Sequence, residues 1–118
     1  MRLNTTTRKL EAVLDAAGTD VIFTVCSTDM GDALNFRDRG LTTITASTGA
    51  TKVTILAAPN PNTSRNVEFL TAYNGNAATR IVTIQIDDNG TTRILNAISL
   101  LTTESATWTP TAGWQITT

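Results

Sequence analysis

Apolar residues along this chain recur at every second position far more often than at helical spacing, and a period of two is the signature of strands. Val82, Ile84 and Ile86 alternate with Ile81, Thr83 and Gln85. After Asp88-Asn89-Gly90-Thr91, a second run puts Thr92, Ile94, Asn96, Ile98 and Leu100 on one face, and Arg93, Leu95, Ala97, Ser99 and Leu101 on the other. Asn-Gly between two such runs predicts a hairpin over 80–101 with a type I′ turn, because both central residues need positive φ. Upstream, Val21, Phe23 and Val25 alternate with Ile22, Thr24 and Cys26. A strand over 20–27 that is apolar on both faces is expected to be covered twice, by its own core and by a neighbouring subunit. Cys26 is expected there as a buried thiol.

Shorter alternating runs fill the rest. Leu10, Ala12 and Leu14 point to a strand within 7–17, where Leu10, Val13 and Leu14 would also fit a helix; Gly18 soon afterwards favours the strand. Further strands are predicted over 43–47, 52–58, 67–73, 106–110 and 113–116. In 67–73, Val67, Phe69 and Thr71 fall on one face and Glu68, Leu70 and Ala72 on the other. Pro59-Asn60-Pro61-Asn62 and Asn74-Gly75-Asn76 punctuate them. Residues 28–42, with Gly31, Asp32, Arg37, Asp38, Arg39 and Gly40, read as a long charged loop. Many short strands with Gly, Pro and Asn between them predict an all-β fold, a β-sandwich or jelly-roll-like barrel with an N-terminal arm or hairpin. The expected organisation is one domain. In it 1–42 forms the arm or hairpin and the charged loop, packed with the core, and 43–118 forms the sandwich core.

Composition narrows the function. Charged residues are 16% of the 118, against about 25% in an ordinary globular chain. Threonine is the commonest residue, and its β-branched side chain suits strands. The surface is therefore neutral and rich in hydroxyls. A net charge of −1 supplies no field for phosphate, so nucleic-acid and anionic-membrane partners are not expected. No apolar run is long enough for a membrane helix. Residues 1–7 lack the apolar run of a signal peptide, so use without Sec secretion is expected.

Chemistry is sparse. Histidine is absent and cysteine occurs once, which removes the commonest general base, the Ser-His-Asp arrangement and a cysteine zinc site. No glycine-rich phosphate cradle is present. Asp87-Asp88-Asn89-Gly90 resembles the start of a calcium loop, but Ile94 and Leu95 stand where a later acidic ligand is needed, and the hairpin turn accounts for it. Asp29 and Asp32 could be drawn as an acid–base pair; beside Arg37 and Arg39 they read as a solvated or intersubunit ion-pair loop. Trp108, Trp114 and Tyr73 could stack on a sugar, or anchor a core or interface. No catalytic residue, cofactor or metal site is expected; the chain reads as a binding protein, not an enzyme.

Two stretches carry a resemblance: Ala57-Ala58-Pro59 with Ser64-Arg65-Asn66-Val67-Glu68-Phe69-Leu70-Thr71-Ala72-Tyr73-Asn74, and Val82 through Leu95. With the opening Leu3-Asn4-Thr5-Thr6-Thr7-Arg8-Lys9-Leu10-Glu11, they resemble small virion proteins of tailed bacteriophages, most closely head decoration (cement) proteins. The resemblance implies a structural protein on the capsid surface of a virion, assembled in the host cytoplasm. It implies a homo-oligomer, a trimer in the commonest form, that clamps the major capsid protein and stabilises the head. A tail, neck or fibre-associated component is the alternative, followed by a carbohydrate-binding module of a receptor-binding protein. No contact motif carries over residue by residue. From sequence position alone, the partner-binding candidates are the N-terminal Arg2, Leu3, Asn4, Thr5, Thr6, Thr7 and Arg8, and Arg37, Asp38 and Arg39 of the charged loop.

Overall fold

The computed structural model describes residues 1–31 and 39–118. Ten strands and no helix occur among them: β1 (Arg2–Leu3), β2 (Arg8–Leu14), β3 (Val21–Gly31), β4 (Arg39–Ala46), β5 (Val53–Leu56), β6 (Thr63–Asn74), β7 (Arg80–Asp88), β8 (Thr91–Leu100), β9 (Ser105–Thr109) and β10 (Gly113–Thr117). All pair antiparallel in two sheets. Sheet A runs β10-β9-β6-β3-β4, with β1 also on β6, and sheet B runs β5-β2-β7-β8. Their inner faces enclose one core of Phe23, Leu10, Ile55, Leu56, Leu70, Ile84, Leu100 and smaller neighbours. The chain is a β-sandwich, as the alternating pattern predicts.

The described part of residues 1–42 is built into the two sheets and is not an arm beside them. β3 is central in sheet A, between β6 and β4, and β2 lies inside sheet B, between β5 and β7. Val21, Phe23 and Val25 are fully buried, as are Leu3 and Leu10. The reason is combinatorial: neither sheet closes over its core without the strands this segment supplies. The part of the expected charged loop at 28–31 and 39–42 is strand; Asp32, Arg37 and Asp38 lie outside the described residues.

Strand β3 is buried on one face only. Its other side, Ile22, Thr24 and Cys26, is half-buried or exposed. Cys26 is accordingly an outward-facing thiol, 3.7 Å from Thr42 Oγ1, and not a core residue.

Bulges set the rest of the inside–outside pattern. On β6, Cys26 pairs with Phe69 but Ser27 pairs with Val67, so Glu68 is an extra residue. An extra residue reverses the alternation beyond it. Val67 is therefore inward on one side of the bulge, and Leu70 and Ala72 on the other, while Phe69 and Thr71 turn outward. On β8 the extra residue is Leu95, since Ile84 pairs with Asn96 and Gln85 with Ile94. Ile98 and Leu100 enter the core while Ile94, expected on their face, is 67% exposed. The β7–β8 turn is as predicted, with φ of 52° at Asn89 and 93° at Gly90.

Leu3 gives the first test of the N-terminal segment. It is fully buried, and β1 holds it on β6 through the pairs Arg2–Asn66 and Leu3–Arg65. Leu3→Ala should destabilise the fold by about 2–3 kcal/mol, the lower part of the range for a core leucine, because a two-residue strand can relax into the gap. Urea unfolding measures it. An unchanged midpoint would mean the segment is a detachable arm after all.

Candidate functional site

Several of the N-terminal candidates hold their own fold together. Leu3 is core. The Thr7 hydroxyl donates to Asp88 Oδ1 at 2.6 Å, and Arg8 Nε donates to Asp88 Oδ2 at 3.0 Å. Arg8 Nη1 reaches Asn4 Oδ1 at 2.9 Å, and the Arg8 amide reaches the Thr5 carbonyl. Thr5 and Thr7 share a hydroxyl contact, and Thr6 is exposed between them. The result is a turn pinned to the tip of the β7–β8 hairpin. The Thr7 hydroxyl and then the Arg8 guanidinium hold the Asp88 carboxyl below its usual range. Arg2, the first residue of β1, is exposed with its guanidinium 4.0 Å from Met30 Sδ. Arg39 opens β4 opposite Asp29.

Nor is Asp29 part of a solvated loop. It points to the inner side of sheet A and forms a bidentate pair with Arg65, at 2.7 Å to Nε and 2.9 Å to Nη2. The two side chains are 18% and 9% exposed, and Arg65 Nη1 also donates to the Ala57 carbonyl at 2.8 Å. The hydrogen bond to Asp29 is the main cause that raises the Arg65 pKa, against the opposing effect of burial.

The aromatic candidates do not form one platform. Trp108 and Trp114 face each other across β9 and β10. Trp108 also pairs with the inward Leu70, so both rings turn to the inner side and pack against the core. Tyr73, paired with Ile22, lies on the opposite face of sheet A.

The densest polar cluster was not legible beforehand. Glu11 lies between the inward Leu10 and Ala12, so it belongs to the outer side of sheet B, yet it is only 2% exposed. Its carboxylate accepts from Gln85 Nε2 at 3.1 Å and lies 3.3 Å from Lys9 Nζ and 3.5 Å from Lys52 Nζ. Lys9 also approaches Asp87, whose Oδ1 accepts the Gly90 amide. Each carboxylate already has its donors, and the lysine stems cover what they pair with. Among the described residues no group of three or more His, Cys, Asp or Glu side chains could hold a metal ion.

The outer face of sheet A is the opposite kind of surface. The register lays two rows across five strands: Ala46–Ile22–Tyr73–Ser105–Thr117, and Ile44–Thr24–Thr71–Thr107–Gln115. A third, partial row holds Thr42, Cys26 and Phe69, with Thr109 and Gly113 paired beyond. None of these residues is an aspartate, glutamate, lysine, arginine or histidine. Charges border these rows at Arg2 and Glu68, at the end of the sheet where β1 joins, and at Asp20, just before β3. Ile44 is 70% exposed at one margin. Such a face gives up little hydration when covered, since hydroxyls and methyl groups desolvate far more cheaply than ions. Its chemistry suits docking.

No protein-family model matches the chain, and comparison with curated proteins and with solved structures returned no match.

Proposed function

We propose that this chain is a non-catalytic structural protein that covers other protein surfaces with the outer face of sheet A. The observation that carries this reading is the pair of uncharged rows across β4, β3, β6, β9 and β10. An enzyme concentrates titratable groups where it works. Here the ionisable clusters are paired off at Glu11 and at Arg65–Asp29, and the broad open face is neutral.

Within that reading, the proposed setting is a tailed-phage virion. The protein decorates the capsid surface, binds the major capsid protein as a homo-oligomer, and stabilises the head. The support is the resemblance of residues 57–74 and 82–95 to small phage virion proteins. Many copies of a modest neutral contact would sum to a large effect on the shell. A tail or neck component would use the same face.

Cryo-electron microscopy of the particle encoded by the same genome tests the setting. Density for this sandwich on the outer shell is expected. Density confined to the neck or tail replaces decoration by the alternative, and a particle without the protein overturns both. The face has its own test. Thr71→Lys with Thr107→Glu, at its centre, should reduce attachment to purified particles at least tenfold with little change in melting temperature. Unchanged attachment would end the role of this face.

A further inference from the structure

A sheet of β-strands ends in unpaired backbone donors and acceptors, and proteins blunt such edges to prevent pairing with other chains. Among the described residues, the edges are β10, β4 and the two-residue β1 in sheet A, and β5 and β8 in sheet B. Strands β10 and β5 are short, with five and four residues. The longer β8 is interrupted by the Leu95 bulge, and Arg93, paired with Ile86, puts a charge on its inner side. Both are recognised ways of protecting an edge. Among its described side chains, Gly40 to Ala46, strand β4 has none of them. It keeps an unbroken register with β3 over eight pairs, contains no proline, and is uncharged from Gly40 to Ala46.

The direction of its free backbone groups follows from one hydrogen bond. The Ser47 amide donates to the Val21 carbonyl at 2.8 Å, which makes Ser47–Val21 a hydrogen-bonded pair. Antiparallel pairs alternate, so Thr45 and Thr43 also bond to β3. The amides and carbonyls of Ala46, Ile44, Thr42 and Gly40 then point away from β3, towards the open edge.

We infer that β4 pairs antiparallel with the β4 of a second copy of this chain, about a two-fold axis near Thr43. A two-fold axis across an edge gives the antiparallel orientation without further adjustment. In this register Thr42 meets Ile44 of the second copy and Gly40 meets Ala46. The four edge-facing residues thus exchange roughly eight main-chain hydrogen bonds. No charged residue between 40 and 46 meets another, so self-pairing carries no like-charge penalty. Inward-facing Leu41, 40% exposed, comes beside Thr45 of the other copy. The neutral face of sheet A then continues across the axis. This pairing is independent of the virion setting, and it closes at two copies, whereas the phage resemblance implies three.

Sedimentation velocity of the purified chain from ~10 μM to ~1 mM tests it, a range suited to a small interface. The expected mass rises from 12.6 kDa towards twice that value. Thr42→Pro removes an edge-facing amide without touching the β3 ladder, and Ile44→Lys places a charge at the axis. Each should stay monomeric at the highest concentration. Circular dichroism verifies the fold, and the lysine variant stands in if the proline variant unfolds. In the wild type, exchange of the Thr42 and Ile44 amides should slow at least tenfold with concentration, while Thr43 and Thr45 are protected throughout. A monomer over the whole range, a dimer surviving both substitutions, or closure at three copies would each overturn the pairing. The Thr71 and Thr107 changes lie on strands away from β4, so the attachment test and this one can fail separately.

Discussion

Asn74→Leu should lower the free energy of unfolding by about 4 kcal/mol, the largest effect expected of any single substitution named here. The Asn74 side chain is fully buried at the end of β6. Its Nδ2 lies within hydrogen-bond distance of the carbonyls of Leu100 (2.9 Å), Ala78 (3.0 Å) and Leu101 (3.2 Å). Its Oδ1 accepts from the amide and the side chain of Asn76, both at 3.0 Å. The Asn74 main chain bonds to Glu104 and Thr103. One amide thus fastens the turn after β6 to the chain leaving β8 and entering β9, joining the two sheets. Leucine is similar in size, so the cavity term is small, but it leaves buried donors and acceptors unpaired, each costing about 1–3 kcal/mol. Urea denaturation with an unchanged slope would measure the loss. A cost below ~1 kcal/mol would show that water replaces the amide without strain.

Arg65→Met is expected to cost about 3 kcal/mol at neutral pH. Methionine keeps much of the side-chain length but removes both bonds to Asp29 and the bond to the Ala57 carbonyl. Breaking a buried ion pair from one side costs about 3–5 kcal/mol, because the remaining charge stays in a poor solvent. The 18% exposure of Asp29 places the expectation at the lower end. The double variant Arg65→Met with Asp29→Leu should recover part of the loss, since both charges of the pair are then removed together. If the double variant is as unstable as the single one, Arg65 acts through its packing and its bond to Ala57 and not through the pair.

Both predictions concern residues that give little sign of their role in sequence. Asn74 sits in Asn74-Gly75-Asn76, which reads as a polar turn, and turn asparagines are usually solvated. Its burial follows from the return of the chain at Leu100 and Leu101, some twenty-six residues away. Arg65 reads as a surface charge until β3 brings Asp29 opposite it.

The features legible in the sequence are local. Period-two patterning of β-branched and aromatic residues specified strands, and Asn89-Gly90 specified the turn between β7 and β8, because both depend on neighbours a few residues apart. Which side of each strand is inside depends on strand pairing. The extra residues Glu68 and Leu95 reverse the alternation, and a bulge is defined by the partner strand, which no local pattern contains. Pairing also decided where the charges went. It buried Leu3, tied Arg8 to Asp88, and set Thr24, Thr71, Thr107 and Gln115 side by side. That neutral row draws on four strands separated along the chain. It exists only because backbone hydrogen bonding put them in the order β10-β9-β6-β3.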